Sequence, residues 1–490
     1  MKKQHILTAA ALMVSTLGMS GQIVSHSLYY METVPQTTLL NPARQPRCDV
    51  YVAIPGVNIF VGESTNLSPT DFVQKSGNEW LTPLRNGFDY NELYDNYKNQ
   101  MAVDVATAVE LLNFGWRTNA GNYITISVSE RITADVALPS DLLKIADKGL
   151  PNGTLLNLSK LGVNAQAYSE IAASYSRAFG DKWTFGARAK LLAGIGTVRT
   201  KNDKFDLYTS RDQWTVTTDF EVRTSLPLVE RDMLDENGII EVDSLEFREF
   251  DETSDALKYV LSLKNPGFGL DLGATYQFND QVQFSAAVTD LGFISWRRDV
   301  NTFKSKGEFL FEGIEYCLDN EEHRDDFENA LDDCLDSLEQ NIKLTVKHSK
   351  FKTALTPSIY IGAEYKPFYF LSLGFLSHTK FYPVGRANQD FNVSASLNPY
   401  KSPLTGTLGY TINVMGKSSV HCGFSLRAGV VQLYTMLDYI PLKYNNYDFD
   451  GDDVDIPHNI SNFNVSFGMN LVFGSKAYRD RPMIHSTKAL

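Results

Sequence analysis

Apolar and polar residues alternate with a period of two over long stretches of this chain. In Tyr123–Leu138, Ile124, Ile126, Val128, Ile132, Ala134 and Val136 share one face. Thr125, Ser127, Ser129, Arg131, Thr133 and Asp135 share the other, and only Glu130 breaks the pattern. From Trp214, Val216, Phe220, Val222 and Leu226 oppose Thr215, Thr217, Asp219, Glu221, Arg223 and Ser225. Near the C-terminus Phe463, Val465, Phe467, Met469, Leu471 and Phe473 alternate with Asn462, Asn464, Ser466, Gly468 and Asn470. The pattern recurs at Phe391–Asn398, Leu408–Val414, Val420–Arg427 and Ser358–Tyr365. This is the period of β-strands with two unlike faces.

Short turn signals separate many of these runs, among them Gly180-Asp181-Lys182, Asn279-Asp280, Pro367 and Gly429. The segments predict about fourteen strands with alternately short and long connections, several longer than the ~9–11 residues that cross a bilayer at a tilt. A water-soluble sandwich would also alternate. Strand length and aromatic residues near strand ends (Tyr123, Trp183, Trp214, Trp296, Tyr365 and Phe473) favour a barrel in a membrane.

The N-terminus adds to that expectation. Met1-Lys2-Lys3-Gln4-His5 is a short basic stretch, Ile6 to Leu17 is apolar, and Gly18 and Ser20 place small residues before Gly21. Residues 1–21 therefore read as a signal peptide, and an exported barrel belongs in the cell outer membrane, among its lipids.

Charge sharpens the picture. The 490 residues carry 45 Lys plus Arg against 58 Asp plus Glu, a formal net charge of −13, which argues against a nucleic-acid partner. The excess sits in three segments: Glu230–Asp255 with 11 acids, Asp319–Glu339 with 10 and Asp448–Asp455 with 5, sharing only three bases. The rest of the chain holds 32 acids and 42 bases, as expected of a barrel among phosphate-bearing lipids with acidic loops in water. Phe327, Leu331, Cys334, Leu335, Leu338 and Ile342 recur at helical spacing, so the insertion at 297–350 is expected to carry a helix. A second short helix is expected over Pro139–Lys148, closed by Gly149.

Candidate chemistry is sparse. Catalytic and cofactor-binding motifs are absent, so no enzyme and no cofactor are expected. The 8 His are scattered. Asp448, Asp450, Asp452 and Asp455 around Gly451 have the carboxylate density of a calcium loop but lack its downstream Glu, so a solvated acidic turn is the simpler reading. Cys317 and Cys334 are spaced to pair in an oxidising envelope, whereas Cys48 and Cys422 read as unpaired apolar residues.

Asn41-Pro42-Ala43, Gly186–Lys190 running into Leu191-Leu192-Ala193-Gly194, Gly267–Ala274 and Thr289-Asp290-Leu291-Gly292-Phe293 resemble FadL/PorV-type outer-membrane barrels, nearest to an uncharacterised Bacteroidetes family in that group. The resemblance implies an all-β, transmembrane antiparallel β-barrel of about fourteen strands over residues 49–474. It further implies a lumenal hatch over residues 22–48. The long acidic, partly helical loops and the polar tail at 475–490, which follows Phe473 where the family's last strand would end the chain, depart from the family pattern. It implies transport or uptake of a hydrophobic or amphipathic small molecule. The alternative is a non-transport envelope protein, either a type IX secretion partner or a structural barrel.

If the apolar strand faces meet lipid, Arg131, Glu170, Arg188, Lys190, Asp219, Glu221, Arg223, Glu364 and Arg427 point into the lumen. That mixture of signs favours pairing with one another or with a plug over an ion-selective ring.

Overall fold

The computed structural model describes residues 25–474 apart from 77–78, 84–86, 99, 150, 211–212, 230–245, 248–252, 261, 312–344, 383–386, 399–401, 415–417, 441–443, 450–451 and 458–461. The expected signal peptide, loop helix, Cys317–Cys334 pairing and polar tail all fall outside these residues. So do the side chains of the calcium candidates Asp448, Asp450, Asp452 and Asp455.

The alternating segments become strands, and the strands close on themselves. In chain order they are β1 (Val50–Ala53), β2 (Asn58–Thr65), β3 (Gln100–Arg117), β4 (Tyr123–Pro139), β5 (Gly162–Phe179), β6 (Trp183–Thr209) and β7 (Trp214–Ser225). There follow β8 (Pro266–Gln277), β9 (Val282–Trp296), β10 (Val300–Phe311), β11 (Phe351–Ala354), β12 (Ser358–Phe368) and β13 (Leu371–Phe381). The last are β14 (Ala387–Leu397), β15 (Leu404–Asn413), β16 (Ser418–Ala428), β17 (Val431–Ile440) and β18 (Asn462–Phe473). Each stave is antiparallel to the next, and β18 pairs with both β1 and β2, closing a barrel of fourteen staves. β1 and β2 make one interrupted stave, as do β11 and β12 against β9.

Side-chain burial is inverted relative to a soluble barrel. On β4 the polar Thr125, Ser127, Ser129, Arg131 and Asp135 are buried, while Ile132 is 47% exposed. On β18, Asn464, Ser466 and Asn470 are buried, and Phe467 and Phe473 are exposed. Leu191, Phe268, Leu272, Phe284, Ile361, Phe375, Val393, Leu408, Phe424 and Leu433 continue the exposed apolar belt around the barrel. Glu130, the one break in the β4 pattern, lies within 2.8 Å of the Ser169 hydroxyl through both carboxylate oxygens. Among the described residues no helix is long and apolar enough to cross a membrane.

β7 and β10 correct the sequence reading. The first part of β6 pairs with β8, but its continuation pairs with β7, and β7 pairs with β10, which begins inside the expected 297–350 insertion. These strands form a sheet that leaves the ring. Asn265 sits where the sheets part: its carbonyl accepts from the Gly194 N–H at 2.8 Å. Its side-chain oxygen accepts from the N–H groups of Arg297 and Arg298. Alternation cannot separate such strands from staves, because any sheet with one sheltered face shows it.

Two of the expected girdle aromatics also turn inward. Tyr123 is buried against Tyr51, and Trp296 is fully buried, its indole N–H donating to Thr353 Oγ1 at 2.9 Å. Trp183, Tyr365 and Phe473 stay exposed. At the long-loop end α1 (Asn91–Asn96) and α2 (Asp141–Lys148) join residues 67–101 in a small core of Leu81, Phe88, Tyr90, Leu93, Tyr97, Met101 and Leu143. α2 ends at Gly149 with φ +64°, and Pro139 belongs to β4.

Candidate functional site within the barrel

Residues 25–49 run through the middle of the barrel. Leu28, Tyr29, Tyr30, Met31, Val34 and Leu40 are buried against Phe60, Ala108, Ala287, Tyr360, Leu376, Tyr434 and Met436 of the wall. The segment has two short 3-10 turns, His26–Leu28 and Pro35–Leu39, so most of its polar groups need partners from the wall. They find them on many sides. Gln36 exchanges hydrogen bonds with Asn470 at 2.9 and 3.0 Å and donates to Glu110 at 3.1 Å. The Thr33 carbonyl accepts from Gln432 at 2.8 Å, and the Tyr29 hydroxyl meets Ser285 at 2.9 Å. Arg117 donates to Gln45 at 2.5 Å and to the Pro46 carbonyl at 2.7 Å.

Asn41-Pro42-Ala43 makes a tight turn in which Asn41 Oδ1 accepts from the Ala43 N–H at 2.9 Å. Its backbone lies directly on Gly186 of β6 and Gly273 of β8. A Cβ on either glycine would collide with Asn41, Pro42 or Ala43. The short motifs singled out in the sequence thus meet in space.

Charge holds the segment at one further place. Arg44, fully enclosed, bridges Glu364 at 3.1 Å and Glu32 at 3.6 Å, and lies over the rings of Tyr29 and Tyr30. Arg47 and Lys366 complete the pairing of Glu32 at 2.9 and 3.2 Å.

The wall carries a second network beside the segment. Glu170 receives Arg131 at 3.0 Å and Arg188 at 2.9 Å, while Lys190 bridges Asp271 at 2.7 Å and Asp290 at 2.6 Å. Three cations and three carboxylates are thereby sequestered together, each charge facing its opposite. A cavity of about 50 Å³ adjoins them, lined by Leu39, Leu40, Arg131, Tyr168, Asp290, Tyr360 and Lys380 among others.

Arg131, Glu170, Arg188 and Lys190, expected in the lumen, are thus brought together in one buried network, and Glu364, also expected there, is buried apart from them with Arg44. Asp219, Glu221 and Arg223 lie on β7, outside the ring of staves, where Asp219 pairs with the exposed Lys306 and Arg223 with Glu221. Arg427 is half-buried at the short-turn end and donates to the carbonyls of Gly429 and Val472.

The sequence reading missed Asp271 and Asp290. Asp271 was accessible to it: Phe268, Leu270, Leu272 and Ala274 define the outer face of β8 and leave Asp271 opposite. Asp290 was not, because strict alternation puts it in line with the outward Phe284 and Ala286. It is a non-glycine residue at φ +59°, an extra residue in the strand. Thr289 and Asp290 both lean inward there, and the outer face resumes at Leu291 and Phe293. The Asp290 N–H donates to Asp271 Oδ1 at 2.7 Å, satisfying the group that the bulge frees.

At the long-loop end the segment is fastened by Ser25, His26 and Ser27. Asp438 accepts from the Ser25 hydroxyl and from the His26 N–H at 3.0 Å, and Ser27 Oγ lies 2.6 Å from His421 Nδ1. Burial, with the neighbouring His378 ring, pushes the His26 imidazole down to about 3. Cys48 and Cys422 are both free.

Similar solved structures include the toluene transporter TbuX of Ralstonia pickettii, at 10% identity over 90% of this chain and 94% of that chain, with a TM-score of 0.38. The monoaromatic hydrocarbon channel CymD is 9% identical over 93% and 98%, with a TM-score of 0.41. A FadL homologue of Pseudomonas aeruginosa is 9% identical over 93% and 96%, with a TM-score of 0.37. No curated protein matches the sequence. The model of a family of unknown function, DUF5723, matches residues 42–438, and the chain belongs to that family.

Proposed function

We propose that this protein is an outer-membrane barrel that moves a hydrophobic or amphipathic small molecule, with residues 22–48 as a hatch across its lumen. The observation that carries the proposal is the inverted barrel: an apolar outer belt with a polar interior, occupied by a segment seated through side-chain contacts. The exposed belt is stable in hydrocarbon and a liability in water. A segment joined to the wall through side chains can shift without breaking the staves, and the cavity beside the Lys190 network gives it somewhere to yield. Membrane fractions should contain a heat-modifiable species that resists urea extraction; recovery as a soluble periplasmic protein would reject the membrane assignment. Mass spectrometry of the purified protein should find a co-bound apolar or amphipathic compound, and its uptake should fall when the gene is deleted. The proposal includes no enzymatic role.

One observation favours the second reading, a type IX secretion partner or structural barrel. The cavity lined by Arg131 and Asp290, at about 50 Å³, is small beside any lipid. Crosslinking that recovers secretion proteins, with no co-bound small molecule and no uptake defect, would select it.

A further inference from the structure

We propose that His26, His378 and Asp390 form a binding site for a divalent transition-metal ion, Zn²⁺ in the test below, which clips the N-terminal segment to the barrel wall. His26 belongs to the segment, His378 to β13 and Asp390 to β14, and all three are buried. His26 Nε2 lies 3.2 Å from His378 Nδ1, and His378 Nδ1 lies 3.6 Å from Asp390 Oδ2. The three ligand atoms all fall within 4.8 Å of one another. Zinc binds imidazole nitrogen and carboxylate oxygen at ~2.0–2.2 Å, so neighbouring ligand atoms of a tetrahedral site sit about 3.3–3.5 Å apart. Two of the three separations are already close to this, and the third, within 4.8 Å, closes by up to about 1.5 Å.

The surroundings hold each ligand in place. The Tyr360 ring stacks on the His378 imidazole at 4.5 Å and 14° between planes. Asn413 Nδ2 donates to Asp390 Oδ1 at 2.7 Å, leaving Oδ2 to face the histidines. Asp438 accepts from the backbone of His26. Asp390 thus sets one carboxylate against the paired imidazoles, while Asp438 fixes the backbone that carries His26. Outer partners of this kind orient ligands in metal sites. Imidazole with carboxylate suits borderline ions such as zinc better than calcium or magnesium. The alternative is a metal-free hydrogen bond between the two imidazoles.

The site stands independently of what the barrel transports. The full chain, without a histidine tag, would be refolded in detergent with and without ZnCl₂, desalted, and its metal content measured. About one zinc per chain is expected, with a higher unfolding temperature in the zinc-loaded form. His378→Gln and Asp390→Asn should each lower zinc retention about tenfold or more, while His348→Gln on β10's side of the molecule leaves it unchanged. Retention equal in wild type and both variants, or absent from wild type, overturns the site. Should the variants lose heat-modifiable migration, wild type alone decides. Zinc should then slow diethyl pyrocarbonate modification of His26 and His378, read peptide by peptide, and equal rates with and without zinc overturn the site.

Discussion

Gly186 and Gly273 show how one missing Cβ can place a whole segment, because Asn41-Pro42-Ala43 rests on their bare backbone. Gly273→Val should lift that turn and expose Arg44 and Arg47. Trypsin should then cut there rapidly while the barrel keeps its heat-modifiable migration, and unchanged protection would sink the assignment. Glu170 faces three cations, so Glu170→Gln leaves buried positive charge uncompensated. A loss of about 3–5 kcal/mol is expected, read from the urea midpoint in detergent. Cys48 lies at the end of the segment, 3.4 Å from the Tyr123 hydroxyl, and burial pushes its thiol up to about 11. A raised acid pKa means the folded state keeps its proton. The stability this lends is complete below the unfolded value near 9.0 and is lost as pH rises toward 11. At pH 8 Cys48 should alkylate at least ~10-fold more slowly in the folded protein than in urea; equal rates would contradict its burial.

At the scale of elements, Asp290 shows why alternation reads strands well and their phase less well. A single left-handed residue turns the outer face over, and nothing in the local pattern marks it before the strand is paired. The loop core at the barrel mouth tests another element. Tyr97 is buried there, its hydroxyl donating to Asp71 at 2.5 Å and accepting from the Ser68 N–H at 2.9 Å. Tyr97→Ala removes a buried aromatic and both bonds, at a cost of about 3–5 kcal/mol to that small core. Limited proteolysis should then begin within residues 65–100 and spare the staves. Cleavage spread evenly through the chain would show that the loop core and the barrel are one cooperative unit.

For the whole molecule, the paired charges and seated segment predict little steady conductance in planar bilayers. Deleting residues 22–48 should raise conductance while the barrel still assembles. Large stable currents from the full-length protein would reject the hatch and favour a general porin.

Strand character and the polarity of each face, including the polar face that carries the buried Arg131, Glu170, Arg188, Lys190 and Glu364, were legible in the sequence, because a period of two is a local property of the chain. Closure, the departure of β7 and β10 from the ring, and the inward turn of Trp296 were decided only by tertiary structure. Each depends on which strand pairs with which, and pairing joins residues far apart in sequence. Trp214, beside Thr209 along the chain, also faces Phe311. His26 reaches His378 only because the segment runs the length of a closed barrel, and no spacing along the chain encodes that distance.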